Sequence, residues 1–135
     1  MTSPHRAVNP EGLPRASGFS HALIAAPGRA IYLGGQAALG ADGKVVGDGI
    51  VDQFEKACAN VVAALDGAGA RPEHLVAMQI YVTDAGAYRG RRRELGEVYR
   101  RHFGTHYPAI ALLEVTALFD PDAVVELVCT AVVPD

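Results

Sequence analysis

The stretch that decides the fold is AVVELVCTAVV, residues 123–133, close to the C-terminus. Glu126 is its one charged side chain, and its many valines are typical of a β-strand. A strand that is apolar on both sides is normally covered on both faces of its sheet. We therefore expect this segment to form an interior strand with protein packed above and below it.

Two amphipathic helices are predicted upstream of this strand. In residues 50–65 the apolar side chains recur at helical spacing, and Asp48 is a candidate N-cap. Residues 88–103 show the same periodicity and stop at Gly104. Each helix therefore has one apolar face, which we expect to pack on the sheet.

The remaining apolar runs predict four more strands. They cover residues 19–26, 30–33, 75–83 and 109–118. Pro27-Gly28 separates the first two runs and predicts a hairpin, whereas prolines and glycines make residues 1–17 an irregular lead-in. The order β-β-α-β-α-β-β indicates the α+β class, with a single mixed sheet and two helices on one face. A second copy of the chain is the simplest cover for the other face.

Length and composition narrow the class of protein. The chain has 135 residues, which predicts a single domain over residues 1–135. A net charge of −3 argues against a general nucleic-acid binder. Cys58 and Cys129 lie far apart in apolar runs, which predicts buried free thiols in a cytoplasmic protein. Residues 1–14 lack the apolar core of a secretory signal, and no apolar run is long enough to span a membrane.

Motifs for metals, nucleotides and cofactors are absent from the sequence, so we predict no metal and no cofactor. His102 and His106 have the i,i+4 spacing of paired ligands, but Gly104 and Pro108 interrupt the helix there. We therefore interpret both as helix-end histidines.

Six arginines lie in the second helix, between residues 89 and 101. Glu94 and Glu97 interrupt the run, and the pairs Arg93–Glu97 and Glu97–Arg101 have i,i+4 spacing. We interpret this helix as a solvated, ion-paired face. An RNA-binding stripe is the weaker alternative, because the chain as a whole is acidic.

Two carboxylates stand out because they interrupt apolar strands, where an unpartnered charge is costly. For Glu114 we favour a structural role. Glu126 lies in a longer apolar run, and the strand pattern alone leaves a site residue and a structural ion pair equally open.

An ordered set of short motifs resembles the RidA/YjgF family, also described as endoribonuclease L-PSP-like. The motifs are LGGQ at 33–36, DQF at 52–54, YVTD at 81–84, EVY at 97–99, PA at 108–109, LEV at 113–115 and VE at 125–126. The resemblance covers about residues 17–133. It implies a chorismate-mutase-like fold and a homotrimer with the sheets packed around a central axis. It also implies small-molecule clefts between subunits.

Active members of this family hydrolyse reactive enamines and imines to 2-keto acids and ammonia, without a metal or cofactor. The resemblance implies that Glu126 is the catalytic glutamate that positions water. It further implies that Gly34 and Gly35 bind substrate through their backbone groups.

Other positions of the implied cleft depart from the family pattern. Ile110 stands where the family has the arginine that binds the substrate carboxylate, and Leu112 where it has a small or thiol residue. Phe19 replaces a tyrosine, and Gly96 an asparagine. We therefore expect Phe19, Ile110 and Leu112 to give the substrate site an apolar wall. Nothing in the sequence points to Arg15 or Arg29 as a replacement cation.

Three functions follow as hypotheses. The first is a cofactor-independent imine or enamine deaminase with an altered substrate and weak or no activity on 2-iminopropanoate. The second is a non-catalytic small-molecule-binding or protein-interaction module. An endoribonuclease is the weakest of the three.

Overall fold

The computed structural model describes residues 2–135, which form a mixed β-sheet with helices on one face. The elements in chain order are β1 (Arg6–Val8), β2 (Ala22–Ile24), β3 (Gly28–Tyr32), β4 (Gln36–Ala37), α1 (Gly49–Gly67), a 3₁₀ turn (Pro72–His74), β5 (Leu75–Val82), α2 (Ala85–Gly90), α3 (Arg92–Phe103), β6 (Ala109–Glu114) and β7 (Val125–Pro134). The predicted α+β class with a mixed sheet is confirmed, but the prediction of a single sheet is wrong, because β1 and β2 form a separate two-stranded sheet.

The final strand is interior to the sheet, as its apolar sequence predicts. β7 pairs antiparallel with β5 on one side and with β3 and then β4 on the other. β6 pairs in parallel with β5 and closes the sheet on the far side, so the main path is β3-β7-β5-β6. A parallel pair needs a crossover connection, and the helices α2 and α3 supply it between β5 and β6.

The core lies between one face of this sheet and the helices α1 and α3. Alternate residues of β7 are buried on that face: Val125, Leu127, Cys129 and Ala131. The helices meet them with Phe54, Cys58, Val61 and Leu65 from α1, and with Leu95, Val98, Tyr99 and Phe103 from α3. Each of the larger side chains contributes about 1.5–3 kcal/mol by leaving water.

The predicted second helix is two helices. The Asp84 side chain accepts a hydrogen bond from the Ala87 N–H at 3.0 Å and starts α2 at Ala85, three residues before the expected start. At Arg91 the backbone leaves the helical region, with φ −125° and ψ 23°, so α3 begins as a separate helix. The prediction of one continuous helix over 88–103 is therefore wrong at this break, while the buried stripe of α3 is as expected.

The predicted hairpin around Pro27-Gly28 is also wrong. β2 pairs with β1, which lies inside the supposedly irregular lead-in, and β3 pairs with β7 instead. A Cβ on Gly28 would lie 2.2 Å from the Val133 carbonyl oxygen. Gly28 therefore serves a close approach of two backbones rather than a hairpin turn.

The second face of the sheet is open in the single chain. Tyr32 is 80% exposed on β3 and Leu113 is 43% exposed on β6. Four side chains of β7 also lie on this face, and each of them is partly buried: Glu126, Val128, Thr130 and Val132. Among the described residues, the helices are too short or too polar to cross a membrane.

The buried face of β7 should carry much of the stability. Leu127 is fully buried, so Leu127→Ala should lower the free energy of unfolding by about 2–5 kcal/mol through lost burial and a residual cavity. Leu13→Ala is the matched control, because Leu13 is 52% exposed and its truncation should change stability by less than about 0.5 kcal/mol. Urea unfolding followed by circular dichroism, at equal protein concentration, measures both. Equal midpoints for the two variants would contradict this packing.

Candidate functional site

A cleft of about 640 Å³ opens between the strand β6 and the helices α2 and α3. Its strand wall carries Ile110 and Leu112, whose neighbours across the parallel pairing are Met78 and Ile80. Met78 and Ile80 are buried under the helices, so Ile110 and Leu112 are on the helix side of the sheet. Because β6 is an edge strand, the helices leave Leu112 38% exposed to this cleft.

Phe19 forms a second part of the cleft wall. Ser20 anchors it, because the Ser20 N–H donates to the Pro108 carbonyl at 3.0 Å and the Ser20 hydroxyl donates to the Tyr107 carbonyl at 2.6 Å. Both bonds tie this segment to the start of β6. The sequence-predicted residues Phe19, Ile110 and Leu112 therefore do line one cleft.

Three tyrosines that the sequence analysis did not single out also line the cleft: Tyr88, Tyr99 and Tyr107. The rings of Tyr99 and Tyr107 stack with centroids 5.1 Å apart, and the Tyr99 hydroxyl donates to the His106 carbonyl at 2.7 Å. Burial raises the pKa of Tyr99 and that of Tyr88, so both phenols stay neutral. The three tyrosines therefore form an aromatic wall of the cleft.

Arginines of α3 form the polar lip of the cleft. Arg92, Arg93 and Arg100 all line it, and Gly96 lies between them on the same helical face. A Cβ built on Gly96 would lie 3.2 Å from Nη1 of Arg100, so the guanidinium bends back over the glycine. The sequence pattern of these arginines predicts a solvated face, so their place in the cleft was not predicted.

Glu126 occupies a different place, on the open face of the sheet. Gly34 and Gly35 connect β3, which pairs with residues 130–134 of β7, to β4, in which Ala37 pairs with Glu126 itself. A Cβ on Gly35 would lie 2.1 Å from Oε2 of Glu126, whereas a Cβ on Gly34 would have no atom within 4 Å. Gly35 therefore makes room for the carboxylate, and Gly34 does not share this role.

The predicted site residues thus form two separate groups in one chain. Ile110 and Leu112 are on the helix side of the sheet, while Glu126 is on the open side, between the buried Val125 and Leu127. The sheet itself separates the groups. A site that uses both needs the glutamate of another protomer.

The other candidate side chains have structural partners. His106 Nε2 donates to the Leu75 carbonyl at 2.8 Å, and burial lowers the pKa of this imidazole. His102 Nε2 lies 3.0 Å from a Glu55 carboxylate oxygen. Glu114 accepts a hydrogen bond from the Ala85 N–H at 2.9 Å at the start of α2, which supports the structural role expected for it. Within residues 2–135 no three His, Cys, Asp or Glu side chains cluster closely enough to hold a metal ion.

The arginine helix is ion-paired in part. Arg93 lies 4.0 Å from Glu97, and Arg91 pairs with Glu94. The predicted partner of Arg101 is wrong, because Arg101 reaches Glu55 on α1 at 2.8 Å. Because α3 packs against α1, the Glu55 carboxylate lies closer to Arg101 than the Glu97 carboxylate does.

This fold is that of a known class of α+β proteins. The family model for endoribonuclease L-PSP matches residues 11–133. The chain therefore belongs to the endoribonuclease L-PSP family, also called the Rid or YjgF family, as the sequence resemblance indicated.

Named relatives are similar over most of their length. The crystal structure of YyfB, a member of the Rid protein family from Yersinia pestis, superposes with a TM-score of 0.86 at 29% identity, covering 96% of this chain and 98% of that chain. The protein DfrA of Myxococcus xanthus is 32% identical, over 84% of this chain and 85% of its own. The 2-iminobutanoate/2-iminopropanoate deaminase of Capra hircus is 28% identical, over 84% and 80%.

The close approach of Gly35 and Glu126 can be tested directly. Gly35→Ala should rotate the Glu126 carboxylate away, because a flexible side-chain end gives way more readily than backbone. The fold should survive, with a change in melting temperature of only a few degrees. Gly34→Ala is the control and should leave Glu126 in place, since the space beside Gly34 is open. Crystal structures of both variants measure the carboxylate position; an unmoved Glu126 in Gly35→Ala would show that this contact does not hold it.

Proposed function

We propose that this protein is a cofactor-independent hydrolase of an imine or enamine, acting as a homotrimer with one cleft at each interface between protomers. The observation that carries the proposal is the division of the site between two faces of one sheet. Glu126 and Gly35 form one half, and Phe19, Ile110 and Leu112 form the other. Family membership and the goat deaminase at 28% identity support the reaction type.

The reaction uses water and the groups already present. The Glu126 carboxylate accepts a hydrogen bond from a water molecule and directs its oxygen at the carbon of the C=N bond. That carbon gains the hydroxyl group and the released proton goes to the nitrogen, which gives a carbinolamine. The hydroxyl oxygen then forms the C=O bond as the C–N bond breaks, and the hydroxyl proton passes through the Glu126 carboxylate to the departing nitrogen. The products are a carbonyl compound and ammonia, and no electrons are exchanged with a cofactor. Gly34 and Gly35 offer backbone groups that can hold the substrate near the carboxylate.

The open face of the sheet supports the trimer. Tyr32 and Leu113 expose large side chains at opposite edges of this face, and an exposed patch of this kind is normally covered by a partner. Packing the open faces of three copies together buries this patch. The same packing moves Glu126 of one protomer to the edge of the sheet of the next, where β6 and its cleft lie.

The cleft wall sets the choice of substrate. The family resemblance implies an arginine that binds the substrate carboxylate at the position of Ile110, and an isoleucine offers neither charge nor hydrogen bond. A small substrate such as 2-iminopropanoate would place its carboxylate against Ile110 and Leu112, where an unpaired anion is strongly disfavoured. We therefore propose a substrate that is larger and more apolar than this three-carbon acid.

The alternative is a small-molecule-binding module that has lost the reaction. The wholly apolar strand wall of Ile110 and Leu112 favours it, because nothing on that wall orients a polar substrate. We do not propose RNA cleavage, because the chain is acidic overall and Glu94, Glu97 and Glu55 each lie within ion-pair distance of an arginine in or next to α3.

Ammonia release from imines tests the reaction. With imines generated in situ by an amino-acid oxidase, we expect little or no acceleration for 2-iminopropanoate and clear acceleration for imines of larger apolar amino acids. Glu126→Gln should abolish the acceleration, since a neutral amide is a poor acceptor for the water proton. Ile110→Arg should give a partial gain on 2-iminopropanoate, limited by Leu112 and Phe19. No acceleration with any imine, in an intact trimer, would favour the binding module.

The trimer is tested by light scattering. The unmodified chain of 14.2 kDa should scatter as a particle of about three times that mass. Leu113→Asp should reduce the mass to that of a monomer with an unchanged circular dichroism spectrum, because it buries an unpaired charge between protomers. Ala63→Asp, on the exposed side of α1, is the matched control and should leave the trimer intact. A trimeric Leu113→Asp variant would contradict the proposed packing.

A further inference from the structure

The cleft lacks a cation on its strand wall but has cations on its helix wall. Arg100 is the best placed of them, because its guanidinium lies over Gly96, with Nη1 3.2 Å from the position that a Cβ would take. Gly96 is the fifth residue of the twelve-residue helix α3. A glycine inside a helix costs stability relative to alanine. Because Gly96 has no side chain, it leaves space on the surface of α3, and the Arg100 guanidinium lies over that space.

Helix geometry explains the direction of this side chain. Side chains of a helix lean toward its N-terminus, and residues four apart lie one above the other. Arg100 therefore extends along α3 over position 96 toward Arg92 and Arg93, all of them on the cleft side. An alanine at 96 would require the guanidinium to shift by a few tenths of an ångström, and a longer side chain would compete with it for this position.

The arginines between residues 91 and 101 differ in their partners. Arg91, Arg93 and Arg101 each have a carboxylate within ion-pair distance. Within residues 2–135, Arg92 and Arg100 have none. The two arginines without a carboxylate partner are both in the cleft. Their charges are available to a ligand.

We propose that Arg100, with Arg92 beside it, binds the acid group of an apolar carboxylic acid, and so replaces from α3 the cation that β6 lacks. This inference rests on the cleft being the substrate site of the proposed function. The guanidinium forms paired hydrogen bonds with the two carboxylate oxygens. The hydrocarbon part of the ligand packs on Ile110, Leu112 and Phe19, which form the other walls.

This arrangement defines a substrate class. The acid group and the apolar part contact different walls, α3 and β6, so the ligand needs a chain of several carbons between its ends. A short acid such as pyruvate is long enough to contact only one of these two walls. The expected substrates are therefore imino or enamino acids with a long aliphatic or aromatic side chain, held at the carboxylate by Arg100.

Binding measurements test the inference without requiring turnover. Isothermal titration calorimetry of the full-length protein should show hexanoate and 4-phenylbutanoate binding at least tenfold more tightly than pyruvate and than the neutral hexanamide. Arg100→Gln should weaken hexanoate binding at least tenfold, in line with the loss of charge-assisted hydrogen bonds. Arg101→Gln is the matched control, because Arg101 is engaged by Glu55 and should change affinity less than twofold.

Gly96→Ala separates this role from folding. The added Cβ should shift the Arg100 guanidinium by a few tenths of an ångström and weaken hexanoate binding about twofold or more, while the melting temperature rises because alanine favours the helix. Opposite changes in affinity and stability support the inference. Unchanged hexanoate affinity in both Arg100→Gln and Gly96→Ala would overturn it, and so would tighter binding of butyl phosphate than of hexanoate.

The outcomes remain distinct from those of the proposed reaction. If no imine is hydrolysed but hexanoate binds through Arg100, the reaction is wrong and the inference stands. If imines are hydrolysed and Arg100→Gln changes neither KM nor hexanoate affinity, the reaction stands and the inference is wrong.

Discussion

The two-residue alternation of β7 is the constraint on which the rest of the molecule depends. Val125, Leu127, Cys129 and Ala131 are buried beneath α1 and α3, so the residues between them must point away from the helices. Glu126 is one of these. A shift of the strand by one residue would bury its carboxylate in the core and expose the core residues. The core therefore fixes the side of the sheet on which the glutamate lies.

This placement links packing to function. The same alternation on β6 puts Ile110 and Leu112 on the helix side, next to the cleft, and leaves Leu113 on the open face. No bending of one chain joins Glu126 to that cleft, because the sheet lies between them. The proposed site between protomers would account for both the exposed apolar face and the divided set of candidate residues. Gly35 leaves the space that the Glu126 carboxylate occupies.

The sequence predicts where the helices and strands lie better than it predicts which strands pair with each other. Helical periodicity located α1 and the buried stripe of α3, and the apolar run of residues 123–133 marked the interior strand. The hairpin at Pro27-Gly28 failed because a turn signal does not say which strand the chain joins next, and β7 offered a longer partner than β2. Family motifs indicated Glu126, Gly35 and Ile110, but not the arrangement of Arg100. The pattern of a charged residue such as Arg100 on a helix surface predicts a solvated side chain. Only Gly96, four positions earlier, indicates that this side chain can lie along the helix in the cleft.

Cross-linking between protomers tests most directly whether Glu126 completes the cleft of a neighbouring chain. A variant with both Leu112→Cys and Glu126→Cys is treated in its native state with a short bifunctional thiol reagent, alongside each single variant. The natural Cys58 and Cys129 are buried and should not react. The account predicts covalent dimers and trimers from the double variant and only monomers from the single variants. An intact trimer whose double variant yields only monomers, on a denaturing gel, would contradict it.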